Sequence, residues 1–408
     1  MPLWNNDRLL LKLAALVLAL MPAVLTVAAE PPDRSPQLLL TSQRLRRLKR
    51  DRERQTTRWV NFENRVNAVP DSPERGFELA LYYAITGNEI RAKEAVRWAL
   101  AHGCERRQVA LVLDWTRGLI SAADRSALAA QVCPSNAGTA AVRDAIFLKI
   151  AMGEDTSKIV EDSRKQVGPS LAAGGFQDAH ELYAASEYIM AARAAQHLDV
   201  REDDSAFFLH LPVEFLLALK PGKLENPDWM THVAALALVA IDPNLESSQY
   251  LQGWAIEDRK MVREGPGVAY ELLWADSYLP GIGYQNTSRW IYDAHGRLFA
   301  RMSWEPDSCF IEISVAGVTE QNCPPGWRDG PATIGQLRLI PMQEHCVELP
   351  RVQGNESVVV WKLKPNETVR YEQAKQRKQP QGSSEADAAG MWRVAPNIEG
   401  KACTAAPR

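Results

Sequence analysis

From about residue 41 to residue 276 the apolar residues recur at helical spacing, and this run constrains the fold more than any other feature. Ala92, Ala95, Val96, Ala99 and Leu100 fall at i, i+3, i+4, i+7 and i+8, which is one stripe on one helix face. Val109, Val112 and Leu113 repeat it, as do Val142, Ala145, Ile146 and Ile150, and then Leu182, Ala185, Ser186, Ile189 and Met190. Breakers cut the run at Pro70-Asp71-Ser72-Pro73, Gly87-Asn88, Pro134-Ser135-Asn136, Gly174-Gly175, Pro221-Gly222 and Asp242-Pro243-Asn244. The spacing predicts roughly ten to twelve helices of ordinary length joined by short loops. Short loops set consecutive helices side by side and antiparallel. A long series of such hairpins must curl or close to bury its stripes. No fixed repeat period is present, which favours a closed α/α toroid over an open solenoid.

Near residue 298 the period drops to two. Leu298, Ala300, Met302 and Trp304 alternate with Phe299, Arg301 and Ser303, and Ile311, Ile313 and Val315 alternate with Glu312 and Ser314. The expected architecture is mainly α: a toroid-like domain over 30–294, a small, truncated β-sandwich-like domain over 295–371, and a polar tail over 372–408. Residues 234–241 are apolar all round, as a buried helix requires.

Residues 1–29 read as a signal peptide. Arg8 and Lys12 precede the apolar run Leu13–Leu20, and Val27-Ala28-Ala29 offers a cleavage site. The run is shorter than the roughly 20 residues of a spanning helix, so an uncleaved anchor is the lesser alternative. The chain is expected to be secreted or periplasmic, with no membrane partner after cleavage. Export permits disulfides. Six cysteines allow 15 pairings, and Cys309 with Cys323 is favoured because the two flank a strand and its loop. Cys403 hints that the tail is pinned back. No two Cys or His stand at zinc-ligand spacing, so neither metal nor cofactor is expected. A formal net charge of −3 supplies no argument for a nucleic-acid partner. Arg44 to Arg54 nevertheless holds seven basic and two acidic residues. The plainer reading is the wet face of a helix with Leu45 and Leu48 inward; the other is a groove for a polyanion.

Two stretches carry a resemblance. The first runs from Leu39-Leu40-Thr41 through the Arg-rich segment and Trp59 to Ala84-Ile85-Thr86-Gly87-Asn88, Ala95-Val96-Arg97-Trp98-Ala99 and Leu113-Asp114-Trp115. The second is Tyr270-Glu271-Leu272-Leu273-Trp274-Ala275-Asp276-Ser277-Tyr278-Leu279-Pro280-Gly281, followed by Leu298 to Trp304 and Glu305 to Ile311. Together they resemble the heparinase II/III-like and alginate-lyase-like polysaccharide lyases, which join an α/α toroid to a β-sandwich. The resemblance implies β-elimination on a uronic-acid polysaccharide, in a cleft between toroid and sandwich. Such chemistry needs a group that neutralises the sugar carboxylate, a base for the adjacent proton and an acid for the leaving oxygen.

The family's Asn-His pair corresponds here to Asn136-Ala137-Gly138-Thr139, which keeps the Asn and lacks the His. The sandwich's His cluster is replaced by Val318-Thr319-Glu320-Gln321-Asn322-Cys323. The remaining candidates are Tyr183, His180, Tyr278 and Asn136 for catalysis, with Trp274, Asp276, Tyr284 and Arg301 for substrate binding. His180, Tyr183 and Glu187 share one helix face by their spacing. Aromatics around the Pro-Gly turns of 270–284 suit stacking on sugar rings. Two expectations follow. One is an exported lyase acting on an acidic polysaccharide. The other is a non-catalytic toroid that binds a glycan or a protein partner, its relatives' histidines having been lost.

Overall fold

The computed structural model describes residues 38–131, 133, 137–292, 297–314, 317–325, 332–334, 337–340 and 346–348. The expected signal segment, Asn136, Cys403 and the polar tail lie outside them. Among the described residues there are thirteen α-helices: α1 (Ser42–Glu53), α2 (Thr57–Ala68), α3 (Arg75–Thr86), α4 (Glu89–Ala101), α5 (Arg106–Trp115), α6 (Ala122–Gln131), α7 (Thr139–Met152), α8 (Ser157–Ala172), α9 (Ala179–Gln196), α10 (Ser205–Ala218), α11 (Trp229–Ile241), α12 (Glu246–Ala255) and α13 (Gly267–Trp274). None of the described helices is long and apolar enough to cross a membrane.

Local chemistry sets where many of these helices begin. Thr41, Thr56, Asn88, Asp178 and Asp228 each stand at an N-cap and accept first-turn amides on their side chains. Helices end at Gly87 and Gly153, both in the left-handed conformation that glycine adopts without a Cβ clash.

The helices alternate between two layers. α3, α5, α7, α9, α11 and α13 each pack on the next in that series, and α13 returns to α1 and α2, which lie against α3. The fold is thus an α/α toroid. Two of its inner helices are buried nearly all round: every residue from Arg107 to Trp115 in α5, and from Met230 to Val239 in α11. Outer helix α4 is amphipathic and buries only Ala92, Ala95, Val96 and Ala99, whereas α10, also outside, buries every residue from Leu211 to Leu217.

Closure depends on α13. The last carbonyls of a helix have no intrahelical donor and carry the negative end of its dipole. Arg47 of α1 supplies the donors: its guanidinium reaches the carbonyls of Leu272 at 3.0 Å, Leu273 at 2.6 Å, Trp274 at 3.5 Å, and also Ala275. Glu271 completes the seam. Its carboxylate accepts from Arg58 of α2 at 2.7 Å and lies 2.8 Å from His232 Nε2 of α11.

The strands follow the ring. β1 (Trp290–Tyr292), β2 (Leu298–Arg301), β3 (Phe310–Ser314) and β4 (Gly317–Gln321) form an antiparallel meander in chain order, with Phe299 opposite Glu312 and Ala300 opposite Ile311. β5 (Ala332–Ile334), β6 (Leu337–Ile340) and β7 (Cys346–Glu348) make a separate three-stranded antiparallel sheet. The strict alternation expected from 298 is not reflected in burial, because all four residues of β2 are buried. Phe299 meets Phe176 edge-on at 6.1 Å, and the Arg297 guanidinium covers Phe176 at 4.7 Å. The expected Cys309–Cys323 bridge joins the residue before β3 to the loop after β4, and a second bridge links Cys104 with Cys133.

Because Arg47 is 7% exposed and serves several carbonyls at once, Arg47→Ala is expected to lower the unfolding free energy by roughly 2–4 kcal/mol in urea titration. Arg47→Lys should recover little of it, since a point ammonium lacks the fork.

Candidate functional site

Side chains from four inner helices converge on one buried network. Arg107 stands in the first turn of α5, and its Nε and Nη2 donate to the Glu187 carboxylate of α9 at 2.9 and 2.7 Å. Nη2 also donates to the Tyr183 hydroxyl at 3.1 Å, and Nη1 to the Tyr270 hydroxyl at 3.0 Å. Arg143 of α7 donates to Glu187 Oε2 at 3.1 Å. From α13, Trp274 Nε1 donates to the Tyr183 hydroxyl at 3.0 Å. Glu187 is fully buried and Tyr183 is 2% exposed. Such a charge is tolerated only when paired and hydrogen-bonded on all sides, and here two guanidinium groups share one carboxylate.

The electrostatics follow. Burial pushes the Glu187 carboxyl up, but Arg107 and Arg143 outweigh it and hold its pKa below the usual range. Burial pushes the Tyr183 phenol well above its ordinary value, and the adjacent Glu187 charge adds to this. The phenol donates to Glu187 Oε1 at 2.6 Å. A base must release its proton and take another from substrate. Tyr183 holds its proton against a carboxylate in a dry site, so this phenol is committed to the network.

A second feature is an open cleft of about 580 Å³ where the start of α9 meets the α10–α11 connection and β3. Its floor is apolar, with Phe176, Phe215, Leu219 and Met230 buried. Its rim carries His180, Lys220 and Lys223 beside Asp178, Asp228 and Glu312. Asp178 caps α9 by accepting the His180 and Glu181 amides, which places His180 in the exposed first turn. Lys223 is paired with Asp228 at 2.7 Å, whereas exposed Lys220 has no ion pair among the described residues. Burial pushes the Asp228 carboxyl up, but the Lys223 ammonium and the Thr231 amide and hydroxyl overcome this and hold it down to about 2. Asp228 is therefore a fixed anion rather than a proton donor.

The residues singled out from the sequence fall in separate places. His180 lines the cleft; Tyr183 lies in the buried network, although the two share a helix face. Tyr278 is 59% exposed on the loop after α13, where Arg54 donates to its hydroxyl. Asp276 is half-buried, 3.9 Å from Arg47, and its carboxylate accepts the Tyr278 amide. Trp274 is not a loop aromatic: it is the last residue of α13, 3% exposed, and Arg44 lies over its ring at 4.4 Å. Tyr284 is buried edge-on against Trp304 at 5.4 Å. Arg301 is 1% exposed, and rather than pointing away from Trp304 its guanidinium lies 5.6 Å from that ring and 5.2 Å from Phe310. Burial pushes its pKa down to about 10. Trp274, Tyr284 and Arg301 thus have no surface to offer a polymer, because each fills a contact between elements.

Sequence reasoning missed Arg107, Arg143, Glu271 and His232. A signal was present. Glu187, His232 and Glu271 each stand in a largely apolar stretch, and a polar residue in an all-round buried helix must find a partner. Among the described residues, no three His, Cys, Asp or Glu side chains are arranged to hold a metal ion. No protein-family model and no curated protein matches the chain.

Removing one partner of the buried network strands the other. Glu187→Gln and Arg107→Met are each expected to cost about 3–5 kcal/mol, and the double variant less than the sum, read from chemical denaturation. The lowered Glu187 pKa stabilises the fold above the unfolded carboxyl's value, and that contribution is lost as pH falls through the folded one. Stability should therefore drop below about pH 4, and Glu187→Gln should flatten this acid limb.

Proposed function

We propose that this chain is an exported α/α toroid that binds an acidic glycan in the cleft at the start of α9 and does not cleave it. The observation that carries the reading is the Tyr183 phenol, one of the two tyrosines the sequence offers for proton abstraction, which is buried and hydrogen-bonded to Glu187 at 2.6 Å. The cleft supplies what binding needs instead. It has an apolar floor for the C–H face of a sugar, and Lys220 on its rim for a carboxylate or sulfate. Export rests on the basic-then-apolar start of the chain and on two disulfides, which persist in oxidising compartments.

One observation favours a second reading, β-elimination with His180 as the base. His180 is exposed on the same rim as Lys220, so an imidazole and a carboxylate-neutralising cation share one cleft. Mixing the protein with alginate, heparan sulfate and pectate separates the two. Binding by calorimetry with no rise in unsaturated-uronate absorbance is the expected result, and Lys220→Gln with Lys223→Gln should weaken it about tenfold. A product that forms, and is abolished by His180→Ala, would establish the lyase.

A further inference from the structure

Helix α1 carries more positive charge than its structural contacts use. Of the seven basic side chains from Arg44 to Arg54, three are turned into the protein. Arg44 lies on Trp274, Arg47 caps α13, and Arg52 donates to the Ile85 carbonyl at 3.1 Å. The other four, Arg46, Lys49, Arg50 and Arg54, are exposed, and none forms an ion pair among the described residues. Glu53 and half-buried Asp51 are the only acids on the helix, and Asp51 faces Arg47 and Arg58.

Arg46, Arg50 and Arg54 recur every fourth residue, so they form a row along α1 with steps of about 6 Å. Arg54, at the C-cap, keeps helical dihedrals of −86° and −4°, and the row continues through it. Like charges at this spacing repel one another and weaken a helix. The row ends beside exposed Tyr278. Arg50 lies 5.8 Å from the centre of that ring and Arg54 donates to its hydroxyl. The loop beneath is fixed, because the Tyr278 amide donates to Asp276 at 3.0 Å and Asp276 faces Arg47 at 3.9 Å. An aromatic face is therefore held next to a linear array of unneutralised cations.

We propose that the Arg46–Arg50–Arg54 row and Tyr278 form a docking surface for a linear polyanionic glycan, with carboxylates or sulfates on the arginines and a sugar ring on the tyrosine. Repeated anions along one chain match repeated cations along one helix better than a single small ligand does. The two disulfides fit an oxidising compartment, and with the exported reading above they favour a glycan as the polyanion. The net charge of −3 makes the basic character local to this helix. The proposal rests on the preceding reading for its ligand class alone and uses different residues.

Calorimetry with heparin and with polyuronate at low and moderate salt tests it. The combined variant Arg46→Gln, Arg50→Gln, Arg54→Gln is expected to lose about tenfold in affinity and most of the salt dependence, with a melting temperature no lower than the parent's because all three side chains are exposed and their mutual repulsion is removed. Tyr278→Ala should weaken binding severalfold while Tyr278→Phe retains it. If only Lys220→Gln and Lys223→Gln weaken binding, the α1 surface is overturned and the cleft stands; if only the α1 variants do, the cleft reading fails instead. Unchanged affinity in the triple variant, no binding of either probe, or tighter binding to single-stranded DNA or phosphatidylserine vesicles overturns the proposal.

Discussion

A ring of helices has a closing seam, and here it is one arginine laid across the end of the last helix. The C-terminal carbonyls of α13 are buried at the junction with α1, where water cannot satisfy them. Leaving such groups unpaired costs free energy comparable to a lost hydrogen bond for each. The planar fork of Arg47 answers several at once, and its charge complements the helix dipole. Its own burial works against its charge and lowers its pKa, opposed by Asp276 and Asp51. Everything placed by α13 depends on this contact, including Tyr270 and Trp274 in the central network and the loop that presents Tyr278.

The same fold uses charge in two ways. Inside, Arg107, Arg143 and Glu187 tie α5, α7 and α9 together, with phenols from α9 and α13 filling the remaining hydrogen-bond positions. That network fixes the geometry at the centre of the ring, with the Tyr183 phenol hydrogen-bonded to Glu187. Outside, Lys220 on the cleft rim and Arg46, Arg50 and Arg54 on α1 are exposed and form no ion pair among the described residues. The buried network and the wet surface cations are therefore set by different parts of the ring. Fold and site are separable properties.

Much of the architecture was legible. Helical spacing with regular breakers predicts hairpins, and buried stripes without a fixed period predict closure, because open ends would leave apolar faces wet. Cys309–Cys323 was legible because the two residues flank one strand and its loop. The three-residue strand Trp290–Tyr292 was not, since so short a segment shows no period. Nor was the burial of Arg47 and Arg44. A basic run reads as a solvated face, and only the arrival of α13 from over two hundred residues away turns part of it inward.

The chain's periodicity thus determined helices, hairpins and the switch to strands, because those depend on neighbours within a few residues. The site did not follow from it. His180, Tyr183 and Tyr278 look equivalent as sequence, yet one lines a cleft, one is sealed in an ion network and one stands on a basic surface. Tertiary structure alone decided that, because a side chain's accessibility and partners are set by elements that are distant in the chain and meet only when the ring closes.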